Sequence, residues 1–213
     1  MSKKGLFKFT NQSLSCFKTR PEPEFISFLG DIKLRGKLLD IGCGIGLEAG
    51  YAEKLGCEVI GIDKNYSCIK KAKELNNKVN YRHVDFFNYI KNITQNEFNV
   101  IVDSKFSNKL TLGQLRRYYK KISKVLKYGS YMYLQILSTD DAYCKEHCPL
   151  RKWTKIDDLY VRYFSKKELQ KLLSLTGLKI ESFKTIKQKY KSNDEHKEET
   201  YHIIIAKQIV KKW

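Results

Sequence analysis

The chain contains no apolar run approaching the roughly 20 residues that a membrane-spanning helix needs. Its first residues, MSKKGLFKFTNQSLSCFK, carry positive charge but no uninterrupted apolar stretch, which makes them a poor signal peptide. These absences predict a soluble, cytoplasmic protein without a membrane partner. Proline is scarce, 3 in 213 residues, and neither an internal repeat nor a linker composition breaks the sequence, so residues 1–213 read as a single domain. The 6 cysteines include no C-x-x-C pair, and an intracellular setting favours buried free thiols over disulfides. Cys144-Lys-Glu-His147-Cys148 is a local cluster, but a structural zinc site needs a second ligand pair, so no metal is expected. Acidic residues are outnumbered 23 to 41, a formal charge of +18, and such a surplus suits a polyanionic partner. Nearly all the basic residues are lysine, however, whereas base readout and bidentate phosphate contact favour arginine. A Lys-, Asn- and Ile-rich composition accounts for the charge equally well.

Short apolar runs alternate with helical periodicity. After Pro21 and Pro23, EFISFLGDI predicts a short helix with Phe25, Ile26, Phe28 and Leu29 on its apolar side. KLLDIG, CEVIGID, VNYRHVD, FNVIVDS and SYMYLQIL read as five strands. Between them, LEAGYAEKLG, YSCIKKAKELNN, the short FFNYIKNI and LGQLRRYYKKISKVLKYG read as helices. In the last of these Leu112, Leu115, Tyr119, Ile122 and Leu126 recur at helical spacing, opposite a basic stripe of Arg116, Arg117, Lys120, Lys121 and Lys124. That stripe reads as a solvated face, or else as a surface that tracks phosphates. A polar, aromatic insert fills residues 138–164. Ser165-Lys-Lys-Glu168 then opens a helix as a capping box. LKIESFKTI and TYHIIIAKQ are the last two strands, joined by a charged loop. The pattern predicts a doubly wound α/β fold: a seven-stranded, mostly parallel sheet with an antiparallel last strand and helices on both faces.

The run LLDIGCGIG, residues 38–46, places Gly42, Gly44 and Gly46 after the first strand, where missing Cβ atoms let a ligand approach the backbone. No Gly-Lys-Ser/Thr follows, which excludes a P-loop. A dinucleotide fingerprint G-x-G-x-x-G would put its third glycine at Leu47. Asp40 would repel a pyrophosphate, but its charge suits a ligand with an ammonium and a sulfonium, such as S-adenosylmethionine. Asp63, Asp85 and Asp103 end the second, third and fourth strands. Asp63 can accept both ribose hydroxyls. Asp85, beside Phe86 and Phe87, can accept the adenine amino group while an aromatic packs on the ring. Asp103 falls beside the reacting centre, although an Asp at a strand end is also a common helix N-cap.

LLDIGCGIG…VIGID resembles the Rossmann-like, class I S-adenosylmethionine-dependent methyltransferases over roughly residues 20 to 207. The resemblance implies that Gly42, Cys43, Gly44 and Gly46 wrap the methionine portion and that Asp40 holds its amino group. Asp63 would then take the ribose and Asp85 with Phe86 the adenine, with Lys64 and Asp103 also among the cofactor-binding residues. VLKYGS looks like the family's LKPGG turn, with Tyr128 and Ser130 replacing proline and glycine. Residues 1–30 would close over the cofactor, with Arg20 as a partner for the methionine carboxylate.

The methyl acceptor is argued by elimination. No Asn/Asp-Pro-Pro-aromatic turn follows the fourth strand, where DSKFS stands, and no cysteine follows a proline. Ribose 2′-O enzymes of the Lys-Asp-Lys-Glu type carry a lysine where this chain has Gln135. The remaining pattern resembles the small-molecule thiopurine and tellurite-resistance-like enzymes, without the histidine often found in their loop. The 138–164 insert sits where those enzymes place a substrate lid, and Asp103, His147, Tyr160 and Arg162 are the candidate acceptor-side residues. Aromatics there can shield a sulfonium and Arg162 can pair with an acidic substrate. The expectation is therefore transfer to a small molecule by a monomer or homodimer. The alternatives are an RNA methyltransferase, or a non-catalytic cofactor-binding partner of nucleic acid.

Overall fold

Each short apolar run folds as a strand because a parallel strand covered on both faces must be apolar along its whole length. The computed structural model describes residues 20–32, 36–148, 152–156, 159–192 and 195–210. Cys16 and most of the expected cofactor-covering segment lie outside the described residues. Helix α1 (Pro23–Ile32) precedes β1 (Lys37–Ile41), α2 (Leu47–Lys54), β2 (Glu58–Asp63), α3 (Tyr66–Leu75), β3 (Asn80–His83) and the short α4 (Phe86–Tyr89). Next come β4 (Phe98–Ser104), α5 (Leu112–Val125), β5 (Leu126–Leu137) and α6 (Ala142–His147). The chain continues through β6 (Trp153–Ile156), β7 (Leu159–Arg162), α7 (Lys166–Ser174), β8 (Leu178–Ser192) and β9 (Glu195–Gln208).

Seven strands form one sheet in the order β3-β2-β1-β4-β5-β9-β8. Strands β1 to β5 are parallel, and β9 runs antiparallel to both β5 and β8. The strand order reverses between β1 and β4, so the crevice that such sheets offer to ligands opens at the carboxyl ends of these two strands. Helices α1, α2 and α3 cover one face, burying Phe25, Phe28, Leu29, Ala52 and Ile69 against Leu38, Val59 and Val100. Helices α4, α5 and α7 cover the other, with Phe86, Leu115, Tyr118, Leu169 and Leu173 against Ile60, Ile101 and Leu134. Each large apolar side chain buried this way contributes about 1.5–3 kcal/mol.

Two local expectations change. Leu112 is 46% exposed, and the buried stripe of α5 runs through Leu115, Tyr118, Tyr119, Ile122 and Val125. Thr111 starts that helix in a capping box with Gln114, which rotates Leu112 out to solvent. The charged run expected as a loop before the last strand is strand instead. β8 and β9 stay paired from Leu178↔Gln208 to Ser192↔Glu195. Cross-strand charge pairs such as Lys187–Glu198, at 3.2 Å, stand in for apolar alternation. β5 meets β9 only as far as Leu137↔Tyr201, so the rest of this ribbon runs past the end of β5.

Candidate active site

The turn after β1 is fixed by its own backbone. Gly42 and Cys43 both donate to the Ile62 carbonyl, at 2.8 and 3.0 Å, and Gly46 donates to the Cys43 carbonyl at 2.8 Å. Gly42, Gly44 and Gly46 have φ of 70°, 54° and 78°, the left-handed region that glycine enters without strain. β3 supports the turn as well: the Tyr81 hydroxyl donates to the Gly46 carbonyl at 3.1 Å. No sequence motif pointed to that contact.

Asp63 ties the turn to β2. Its Oδ2 accepts from the Gly44 amide at 3.0 Å and its Oδ1 from the Asn65 amide at 2.8 Å. A carboxylate offers roughly four acceptor positions, so each oxygen keeps one for a hydroxyl. Asp40 is 2% exposed; it accepts a backbone bond from Ala49, while its Oδ2 has no hydrogen-bond partner. Burial, followed by the charges of Glu48 and Asp63, raises its pKa well above the usual carboxylate range. Asp40, Gly42, Cys43, Ile45, Leu47, Glu48 and Ser104 line a cleft of about 320 Å³, counted with its open mouth. A buried acceptor oxygen without a donor is costly, and a cationic donor entering the cleft would relieve it.

Asp103 closes β4 as expected, whereas Asp85 falls two residues past the end of β3, and both are engaged differently from the expectation. Asp85 caps α4, its Oδ1 accepting from the Phe87 and Asn88 amides. The neighbouring Phe86 ring is 2% exposed and packs against Phe106 and Tyr118, so its face is not offered to an adenine. Asp103 is wholly buried; its carboxylate accepts from the Ser107 amide and hydroxyl and, at 2.8 Å, from Tyr118. This corrects its candidacy as a reacting group: it anchors the loop after β4. The neighbouring Ser104 is the residue that lines the cleft, and its hydroxyl donates to Gln135 Oε1 at 2.9 Å. Lys64 is exposed, and Arg20 is exposed at the edge of the described residues.

The insert brings its residues together in pairs among themselves. β6 and β7 form an antiparallel pair, absent from the sequence reading, with Trp153 stacked on Tyr160 at 5.4 Å. β7 packs on the turn at Ser107–Lys109, where Asn108 Nδ2 donates to the Arg162 carbonyl at 2.6 Å. The Arg162 guanidinium pairs with Glu168 and bonds Tyr160, and these bonds raise its pKa although burial lowers it. Arg162 is therefore paired within the protein at Glu168 and Tyr160, while its buried Nε has no hydrogen-bond partner. His147 stacks on Tyr143 at 4.1 Å on the exposed side of α6. Cys144 and Cys148 instead turn inward with Tyr163, and burial pushes the Cys144 thiol up to about 12. Among the described residues no group of three His, Cys, Asp or Glu side chains is placed to hold a metal ion. No helix there is long and apolar enough to cross a membrane.

A contact that sequence reasoning missed lies beside Ser104. Lys105, with φ of 67°, reaches across β5 to the ribbon, where its Nζ meets Tyr201 Oη at 2.5 Å and Glu199 at 3.2 Å. It links the loop after β4 to the start of the β9 segment that joins the sheet.

A seven-stranded sheet of this order, with a glycine turn after β1 and an acid ending β2, defines a class I S-adenosylmethionine-dependent methyltransferase. The profile of a family described as a methyltransferase domain matches residues 17–182, and the chain belongs to that family. S-adenosylmethionine is its cofactor. A SAM-dependent methyltransferase of Methanosarcina mazei superposes with a TM-score of 0.71 at 19% identity, over 90% of this chain and 100% of that one. TehB of Haemophilus influenzae gives 0.70 at 19% identity, over 90% and 63%. The 1,6-didemethyltoxoflavin-N1-methyltransferase of Burkholderia thailandensis, bound to 1,6-didemethyltoxoflavin and S-adenosylhomocysteine, gives 0.67 at 14%, over 89% and 78%. No curated protein sequence matches this chain.

Proposed function

We propose that this methyltransferase acts on a small-molecule acceptor, with Asp40 holding the cofactor's ammonium group, Asp63 its ribose hydroxyls, and the 42–46 turn its methionine portion. The observation that carries the cofactor assignment is the donorless Asp40 Oδ2 in the cleft beside that turn. When bound, the cofactor supplies an electrophilic methyl group on a sulfonium. The chain's own contribution is alignment and exclusion of water, since the leaving group is good and a base is needed only for a protonated acceptor. Support for a small acceptor comes from the β6–β7 pair, which lies on the Ser107–Lys109 turn next to the strand that lines the cleft. The toxoflavin enzyme, which shares the fold, also has a small-molecule substrate in its name.

Calorimetric titration with S-adenosylmethionine, S-adenosylhomocysteine and NAD should show binding of the first two alone. Transfer of labelled methyl should then occur to some member of a panel of thiols, amines, carboxylates and heterocycles. Turnover on RNA with none on the panel would overturn the small-molecule reading. Asp63→Ala should weaken S-adenosylmethionine binding roughly ten- to a hundredfold, the range expected for hydrogen bonds to a charged group. An unchanged affinity would remove the ribose assignment.

A further inference from the structure

The chain's positive charge is not spread evenly over the two helical layers. Helices α5 and α7, with the core they cover, hold Arg116, Arg117, Lys120, Lys121, Lys124, Lys166, Lys167 and Lys171, all exposed. α5 has no acidic residue, and the single acid of α7, Glu168, is taken by Arg162 and Lys152. On the opposite face α1, α2 and α3 carry five acidic and four basic residues. A compositional bias toward lysine would load both faces alike, so the asymmetry needs another cause.

We propose that the outer face of α5 and α7 docks the phosphodiester backbone of a nucleic acid. Among the described residues, Arg116, Arg117, Lys120, Lys121, Lys124, Lys167 and Lys171 form no ion pair, so their charge is available to a polyanion. Arg116, Lys120 and Lys124 follow one another at about 6 Å along the helix axis, a rigid row of cations. Arg117 lies over the Phe87 ring at 5.3 Å, which holds its guanidinium in place. The apolar sides of both helices are spent in the core; the large apolar side chains left exposed are Leu112, at the start of α5, and Leu175, at the C-cap of α7, and they form no stripe along either helix. A lipid surface or a protein groove would call for an exposed apolar stripe; a phosphate backbone calls for charge alone. Neither helix lines the cleft, so docking here leaves the proposed cofactor site uncovered.

The test is fluorescence anisotropy of a labelled single-stranded RNA with the full chain across a salt series. Wild type should bind at low salt, with log K falling against log salt by about 0.7 for each phosphate contacted. Lys120→Glu/Lys121→Glu/Lys124→Glu should lower that slope by about 2 and weaken low-salt binding by at least tenfold. A control with the same charge change on the opposite layer, Lys70→Glu/Lys71→Glu/Lys73→Glu, should keep near-wild-type affinity. Lys→Gln versions at 120, 121 and 124 should give the same trend at smaller size, and unchanged S-adenosylhomocysteine affinity verifies the fold of each variant. Equal losses in both triple variants would show that net charge alone is being read. That result overturns the proposal, as does failure of wild type to bind RNA at low salt, or binding of anionic vesicles in its place.

Discussion

Asp40→Ala is expected to reduce affinity for S-adenosylmethionine by roughly two to four orders of magnitude. Removing one partner of a buried ion pair costs roughly 3–5 kcal/mol, and the Asp40 carboxylate lies 2% exposed with one oxygen awaiting a donor. The same feature acts in the opposite direction on the cofactor-free chain. Asp40's folded pKa is raised above the ordinary value near 3.8, so the folded state holds the proton more tightly than the unfolded one. Its contribution to stability is therefore fully present below that ordinary value and is lost as pH rises through the raised one. Asp40→Asn should accordingly raise the melting temperature of the cofactor-free protein at neutral pH, by roughly 2–4 °C per kcal/mol for a chain of this size. It should also flatten the pH dependence while still impairing cofactor binding. Calorimetric titration and thermal melts across pH give the two readouts. A variant that binds the cofactor as tightly as wild type would show that the ammonium is held elsewhere.

Gly46→Ala is expected to be the most damaging single methyl group in the fold. At Gly46 φ is 78°, and an added Cβ would lie 2.1 Å from the Tyr81 hydroxyl and 2.5 Å from its ring. Left-handed strain and overpacking together cost about 2–6 kcal/mol. Chemical denaturation should register that loss, and cofactor affinity should fall with it because the turn must shift. Tyr81→Ala should cost less on the Gly46→Ala background than in the wild type, since it removes the overlap but not the strain. A cost below about 1 kcal/mol would mean that the turn is not held by β3 in this way.

The sheet and the glycine turn were legible because they rest on local pattern. Apolar runs of strand length fix β1, β2 and β4, and Asp40 and Asp63 stand at fixed distances from the glycines. Asp85 and Asp103 show where local pattern stops. An acid at a strand end looks the same whether it faces a ligand, caps a helix or anchors a loop, and only the packing of Ser107 and Tyr118 on Asp103 decides. The Arg162–Glu168 pair was hidden for a related reason, because Glu168 belongs to a different element and reads as a capping-box residue. The inner half of the β8–β9 ribbon was legible as two strands; its outer half was not, because it is held by charge pairs and backbone bonds, which leave no apolar alternation to detect.

The sheet order also sets when the molecule can finish folding. β5 lies between β4 and β9, and its outer edge is paired by Tyr201–Lys207, which follow only after the insert, α7 and β8. A ribosome that has released everything through Leu137 has delivered five strands of the sheet, with the edge of β5 still bare. The buried side chains Met132, Tyr133, Leu134 and Ile136 lie along that edge. An unpaired apolar strand is a template for pairing with other chains, so the growing polypeptide is most prone to aggregate between the synthesis of β5 and the arrival of β9. Stalling or truncation in that interval should produce insoluble material, not a smaller working enzyme.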